Sequence, residues 1–173
     1  STLSLARYRL LLLYIQHKTD QLTQPQKLLH FAPEQCFYKL FKESNTIEYT
    51  TTDLNSPLAD VLADICKLPF ADNEFDFILC NHVLEHIPDD YKALQEIYRV
   101  LKPGGTAILQ IPLENDREET FEDDSITDSK ERARIFGQYD HVRVYGMDYF
   151  ERLEKAGFTV AAVDYTTELG CLL

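Results

Sequence analysis

The chain has 173 residues, enough for one domain with a substantial buried core and cramped for two. Its formal net charge is −12 and its pI is near 4.7, with no Lys/Arg run, which argues against a general nucleic-acid binder. Four cysteines, Cys36, Cys66, Cys80 and Cys171, form no C-x-x-C pair, so neither a disulfide framework nor a cysteine-based zinc site is expected, and a cytoplasmic setting is.

The apolar run from Leu10 to Ile15 is too short to cross a bilayer and lacks a small-residue cleavage site, so no membrane association is expected. Residues 6–16 read as an amphipathic helix with Arg7, Arg9, Gln16 and His17 at its edges. Residues 1–24 are therefore expected to form a helix packed on a main domain of residues 25–173. Residues 27–31 read as a short buried strand stopped by Ala32-Pro33. Residues 35–42 have helical spacing, with Phe37, Leu40 and Phe41 on one side. Residues 47–52 are β-branched and aromatic, a second strand ending at Asp53. Residues 61–63 form a brief third strand ending at Asp64. Residues 75–80 are nearly all apolar, as in a strand buried on both faces. Residues 89–101 predict a helix with Leu94, Ile97, Tyr98 and Leu101 as its inner stripe, ended by Lys102-Pro103-Gly104-Gly105. Residues 106–111 predict a fifth strand. Residues 114–131 are acidic and aperiodic, the composition of a mobile lid. Residues 148–156 predict a helix closed by Gly157, and residues 158–165 a last strand.

This alternation implies βαβ units with right-handed crossovers: an α/β, Rossmann-like, doubly wound, mostly parallel sheet of six or seven strands with helices on both faces. Ligands of such sheets bind beyond the carboxyl ends of the strands. Three strand ends carry the relevant groups: Phe31-Ala32-Pro33-Glu34, Asp53 with Leu54, and Asp64 with Ile65. A carboxylate closing the second strand can accept hydrogen bonds from ribose hydroxyls. One after the third strand can accept from an adenine amine, with Ile65 against the ring. Either aspartate alone is an ordinary turn or helix cap; the two at successive strand ends favour a ligand.

From Asp64-x-x-x-Leu68-Pro69-Phe70, through Phe75-Asp76-Phe77-Ile78 and Val83-Leu84-Glu85-His86-Ile87, to Arg99-Val100-Leu101-Lys102-Pro103-Gly104-Gly105, the chain resembles the type-11 branch of class I S-adenosylmethionine-dependent methyltransferases. The likeness runs over about residues 28–165. It implies S-adenosylmethionine as methyl donor, S-adenosylhomocysteine as product, and Phe31, Ala32, Glu34, Asp53, Leu54, Asp64, Ile65, Asn81 and His82 as cofactor-binding residues. The first loop departs from the family's glycine-rich pattern: His30, Ala32, Glu34 and Cys36 stand where Asp/Glu and three glycines are usual. A bacterial subset resembles this Leu-His-x-Ala-Pro-Glu loop and the Gly137-Gln138-x-Asp140-His141-Val142-Arg143-x-Tyr145-Gly146 segment. Some of its members carry a Cys-rich segment ahead of the first helix, a portion the chain is expected to lack.

His82-Val83-Leu84-Glu85-His86 also spells H-x-x-E-H, the inverted zinc-protease signature. Its place after a buried strand and before Pro88 argues against a protease. The preferred reading is that Glu85 and His86 satisfy backbone groups under the fourth strand, with no metal bound; a divalent metal held by some of these groups in a methyltransferase is the alternative. Asp140 and His141 are read either as a pair suited to general-base work on an acceptor or as a hydrogen-bonded loop anchor, in an ordered pocket wall over residues 138–145. Methyl transfer to a small-molecule acceptor, with no nucleic acid or membrane involved, is the expected function. An inactive S-adenosylmethionine- or S-adenosylhomocysteine-binding protein is the alternative, and a zinc hydrolase a remote one.

Overall fold

β1 (Gln26–Phe31) and β4 (Phe75–Asn81) lie side by side, and their apolar runs are buried because layers of helix cover both faces. The computed structural model describes residues 2–170, so Cys171 lies outside the described residues. β2 (Ile47–Asp53) pairs with the other edge of β1, β3 (Val61–Leu62) with β2, and β5 (Leu101–Gln110) with β4. All four pairings are parallel, in the order β3-β2-β1-β4-β5. The chain runs outward from β1 to β3 and then returns to β4, so the order reverses between β1 and β4. That switch point is where a doubly wound sheet opens a cleft.

Side chains alternate across the sheet, as a pleated strand requires. Phe77 and Leu79 of β4 share one apolar cluster with Leu28, Leu11, Ile15, Phe37 and Phe41, under α1 (Thr2–Lys18) and α2 (Gln35–Lys42). Ile78 and Cys80 share the opposite cluster with Leu29, Leu84, Leu94, Ile97 and Leu153, under α3 (Asp90–Val100) and α5 (Tyr149–Ala156). Asp89 caps α3, its side chain accepting from the Lys92 amide at 3.0 Å. Among the described residues no helix is long and apolar enough to cross a membrane.

The sheet has five strands, fewer than the six or seven expected. The shortfall falls on residues 158–165, which form no strand; α6 (Tyr165–Gly170) begins at their end. Phe158 and Val160 do pack on the core, as their alternation implies. A strand also needs a ladder partner, and among the described residues nothing pairs with the outer edge of β5.

The acidic stretch at 114–131, expected as a mobile lid, carries short elements of its own. β6 (Phe121–Glu122) pairs antiparallel with β7 (Arg143–Val144), and α4 (Ser129–Ile135) follows, capped by Asp128. The Glu114 amide donates to the Tyr145 carbonyl at 3.0 Å, the Asp148 amide to the Glu118 carbonyl at 3.0 Å, and the Thr120 hydroxyl to Asp148 at 2.6 Å. A Cβ at Gly146 would stand 2.7 Å from the carbonyl carbon of Glu119, so the two backbones are in close contact. Many of the side chains are exposed while stretches of the backbone bond to residues 143–148, an arrangement that composition does not encode.

α5 ends where the sequence placed its end. Gly157 adopts φ 114°, and its amide donates to the Glu154 carbonyl at 3.0 Å. A side chain here meets both an unfavourable φ and the Tyr98 ring, 2.8 Å from a built Cβ. Gly157→Ala should lower stability by about 1–2 kcal/mol. A urea midpoint unchanged from wild type would show that this turn relaxes freely.

Candidate cofactor cleft and the histidine cluster beside it

The turns leaving β1 and β4 build the cleft. Ala32 leaves β1 with φ 46°, and His82 leaves β4 with φ 54°. The first is the left-handed turn for which the family pattern uses glycine; alanine holds it here with the smallest possible side chain. The turn brings Glu34 across the switch point, where the Asn81 side-chain amide donates to Glu34 Oε1 at 3.4 Å. Glu34 Oε2 lies 2.7 Å from Nε2 of His30, whose Nδ1 lies 2.8 Å from the Tyr49 hydroxyl. His30 is fully buried and acts as the strut that fixes Glu34. Its role was missed from sequence, although a histidine inside a buried strand with a glutamate four residues on was the available signal. Among the described residues the buried Asn81 Oδ1 has no hydrogen-bond partner. An unpaired acceptor beside a carboxylate suits a ligand that brings N–H donors, such as an ammonium group.

Asp53 and Asp64 end β2 and follow β3 as expected, and both shape turns. Asp53 Oδ1 accepts from the amides of Asn55 and Ser56, each at 2.8 Å, and Asp64 Oδ1 accepts from the Cys66 amide at 2.8 Å. Each turn uses one carboxylate oxygen and leaves Oδ2 outside it. Next to them Ile65 is buried, whereas Leu54 is 70% exposed. Phe31, buried at the end of β1, packs in the cluster that holds Ile65. Burial, Asp64 and Asp89 push the Cys66 thiol up to about 11, so it is not a thiolate nucleophile at neutral pH.

The second group of residues lies after β4. His82 is not helical, so the H-x-x-E-H residues do not share one helical face; Leu84–His86 forms a single 3-10 turn. The His82 amide donates to the Gln110 carbonyl at 2.7 Å, and its Nδ1 faces Glu85 Oε1 at 3.3 Å. The expected pairing of Asp140 with His141 is not formed. Asp140 Oδ2 faces His86 Nδ1 at 3.4 Å, while Asp140 Oδ1 accepts from the Gln138 side-chain amide at 2.9 Å. His141 Nδ1 lies 3.2 Å from the Phe136 carbonyl, and its ring meets that of His86 edge-on with centroids 4.8 Å apart. Burial, and then the neighbouring His86, pull the His141 imidazole below the usual histidine value. Nor do Glu85 and His86 serve backbone groups through their side chains, as expected. Glu85 is 2% exposed, and among the described residues its Oε2 has no hydrogen-bond partner.

Arg143 docks this region. Its buried guanidinium donates to the carbonyls of Leu84 (3.1 Å), Ile87 and Pro88 (2.8 Å), and to Glu122 at 2.9 Å. The Tyr145 hydroxyl donates to Asp90 at 2.7 Å, and Arg152 donates to the same carboxylate at 3.1 Å. Residues 138–145 are thereby locked to the turn after β4.

Residues 34–109 match the family model described as a methyltransferase domain. An uncharacterised protein of Methanocaldococcus jannaschii is 41% identical over 95 residues, which cover 50% of this chain and 41% of that protein. A demethylmenaquinone methyltransferase of Staphylococcus carnosus is 52% identical over 48 residues, which cover 28% of this chain and 20% of the enzyme. The chain thus spans less than half the length of either relative. A crystal structure of an S-adenosylmethionine-dependent methyltransferase from Archaeoglobus fulgidus shares the fold at 18% identity and a TM-score of 0.62, over 94% of this chain and 78% of that one. So does the 1,6-didemethyltoxoflavin-N1-methyltransferase of Burkholderia thailandensis, solved with 1,6-didemethyltoxoflavin and S-adenosylhomocysteine, at 18% identity and a TM-score of 0.65, over 91% of this chain and 69% of that one. Over residues 34–109 the chain is thus similar to the methyltransferase domain family, and its fold is one that S-adenosylmethionine-dependent methyltransferases share.

Proposed function

We propose that the chain binds S-adenosylmethionine across the carboxyl ends of its strands and transfers the methyl group to a small-molecule acceptor. The observation that carries this is the run of acceptor groups at successive strand ends: Glu34 after β1, Asp53 on β2, Asp64 after β3 and Asn81 on β4. Glu34 and the unpaired Asn81 Oδ1 would hold the ammonium of the cofactor. The Oδ2 atoms of Asp53 and Asp64 would accept from ribose hydroxyls and from the adenine amine, with Ile65 and the exposed Leu54 against the ring. The bound sulfonium supplies an already activated methyl group, so the work of the protein is alignment and exclusion of water. His30 contributes by fixing the Glu34 carboxylate before any ligand arrives. A small-molecule acceptor is supported by the names of similar proteins, which include a demethylmenaquinone methyltransferase and a 1,6-didemethyltoxoflavin-N1-methyltransferase, and by the net charge of −12.

Calorimetry with S-adenosylhomocysteine tests the reading. Asp53→Ala and Asp64→Asn should each weaken binding about ten- to a hundredfold, the loss of one charge-assisted hydrogen bond. Wild-type affinity in both variants would remove the assignment.

A further inference from the structure

We infer that Glu85, His86 and His141 form a binding site for a divalent first-row transition-metal ion. Their ligand atoms all lie within 4.8 Å of one another. At a tetrahedral ion with bonds of about 2.0–2.2 Å the ligand atoms stand roughly 3.3–3.6 Å apart, so the side chains need to close in by about 1 Å to coordinate. The cluster joins two segments distant in sequence, and their backbones are already docked: the Val142 amide donates to the Glu85 carbonyl at 3.0 Å. Arg143 and Tyr145 hold the same turn through the Leu84 carbonyl.

The outer atom of each ligand is engaged in the manner of a metal site. The Phe136 carbonyl can only accept, so His141 Nδ1 carries the proton and the Nε2 lone pair is left for an ion. His86 Nδ1 faces the Asp140 carboxylate, which leaves Nε2 on the same logic. Glu85 Oε1 faces His82, and Oε2 is the buried oxygen with no partner among the described residues. Metal-binding histidines ordinarily give their second N–H to a carbonyl or carboxylate, which fixes the tautomer. A buried carboxylate oxygen with no donor is costly, and a cation satisfies it.

The donor set selects the ion. Two imidazoles and one carboxylate suit zinc, manganese, iron, cobalt or nickel rather than calcium or magnesium. Three protein ligands leave coordination positions open, as at a substrate-binding rather than a closed structural centre. The arrangement differs from that of an H-x-x-E-H hydrolase: Glu85 is a ligand, the second histidine comes from residue 141, and His82 supports from behind. That the open positions take a hydroxyl or carboxylate oxygen of the acceptor rests on the methyl-transfer reading; the metal site itself does not.

The test uses the untagged full chain, stripped with chelator and titrated with Co2+, followed by visible absorption, and separately loaded with Zn2+ and measured by elemental analysis after dialysis. One equivalent of each is expected. His86→Ala, His141→Ala and the near-isosteric Glu85→Gln should each weaken Co2+ binding at least tenfold while far-UV circular dichroism is unchanged, and Asp140→Asn should weaken it less. No retained metal in the wild type, or undiminished binding in Glu85→Gln and His141→Ala, overturns the proposal. S-adenosylhomocysteine affinity, measured on the same proteins, reports on the cofactor cleft independently, so the two readings fail separately.

Discussion

Arg143→Ala is expected to destabilise the protein by about 3–5 kcal/mol, the range for removing one member of a buried ionic network. The side chain is 3% exposed and satisfies three carbonyls, those of Leu84, Ile87 and Pro88, as well as Glu122. Alanine takes this donor from the Ile87 and Pro88 carbonyls, whereas the Leu84 carbonyl keeps the Tyr145 hydroxyl and the Ile87 amide. Asp90 keeps Arg152 and the Tyr145 hydroxyl, so the loss falls on the turn after β4 more than on that carboxylate. The unfolding midpoint should fall on the order of 10 °C. Arg143→Lys should recover little, because one ammonium cannot reach the several directions that the planar guanidinium serves. A loss under 1 kcal/mol in Arg143→Ala would mean that water replaces the guanidinium and that the docking of residues 138–145 has another cause.

The elements that sequence reading placed well are those whose cause is local. α2 matches the expected helix end for end because Phe37 and Phe41 recur at helical spacing and are both buried. Asp53 ends β2 and Asp64 follows β3 because the β-branched and aromatic run before the first and Val61-Leu62 before the second form strands. Gly157 closes α5 because only glycine takes that φ without cost. What was not legible is non-local. Nothing in composition brings His141 beside Glu85 and His86, and the Asp140–His141 pairing looked natural only because the two are adjacent in sequence. Residues 158–165 show the converse. They were read as a strand, and Phe158 and Val160 do pack on the core, but a strand also depends on a partner edge that the segment does not contain. The short elements of the acidic excursion were not legible for a similar reason: charge density describes its side chains, whereas its backbone bonds run to residues 143–148.

The other large effect concerns the layer under the first helix. Phe77→Ala is expected to cost about 3–5 kcal/mol, the range for truncating a fully buried phenylalanine. Phe77 lies on β4, between β1 and β5, and shares its cluster with Leu11 and Ile15 of α1 and with Phe37 and Phe41 of α2. The cavity would therefore open between the sheet and both helices rather than at a surface where it could collapse. Amide exchange should accelerate in α1 and α2 well before it does in α3, whose buried face packs on the opposite side of the sheet. Two substitutions within α1 separate core packing from mere attachment. Ile15→Ala, at 0% exposure, should cost about 2–5 kcal/mol. Leu13→Ala, at 36% exposure, should cost less than about 1 kcal/mol. If the two cost the same, the first helix is not part of the core, and the burial of Leu11 and Ile15 beside Phe77 carries no stability.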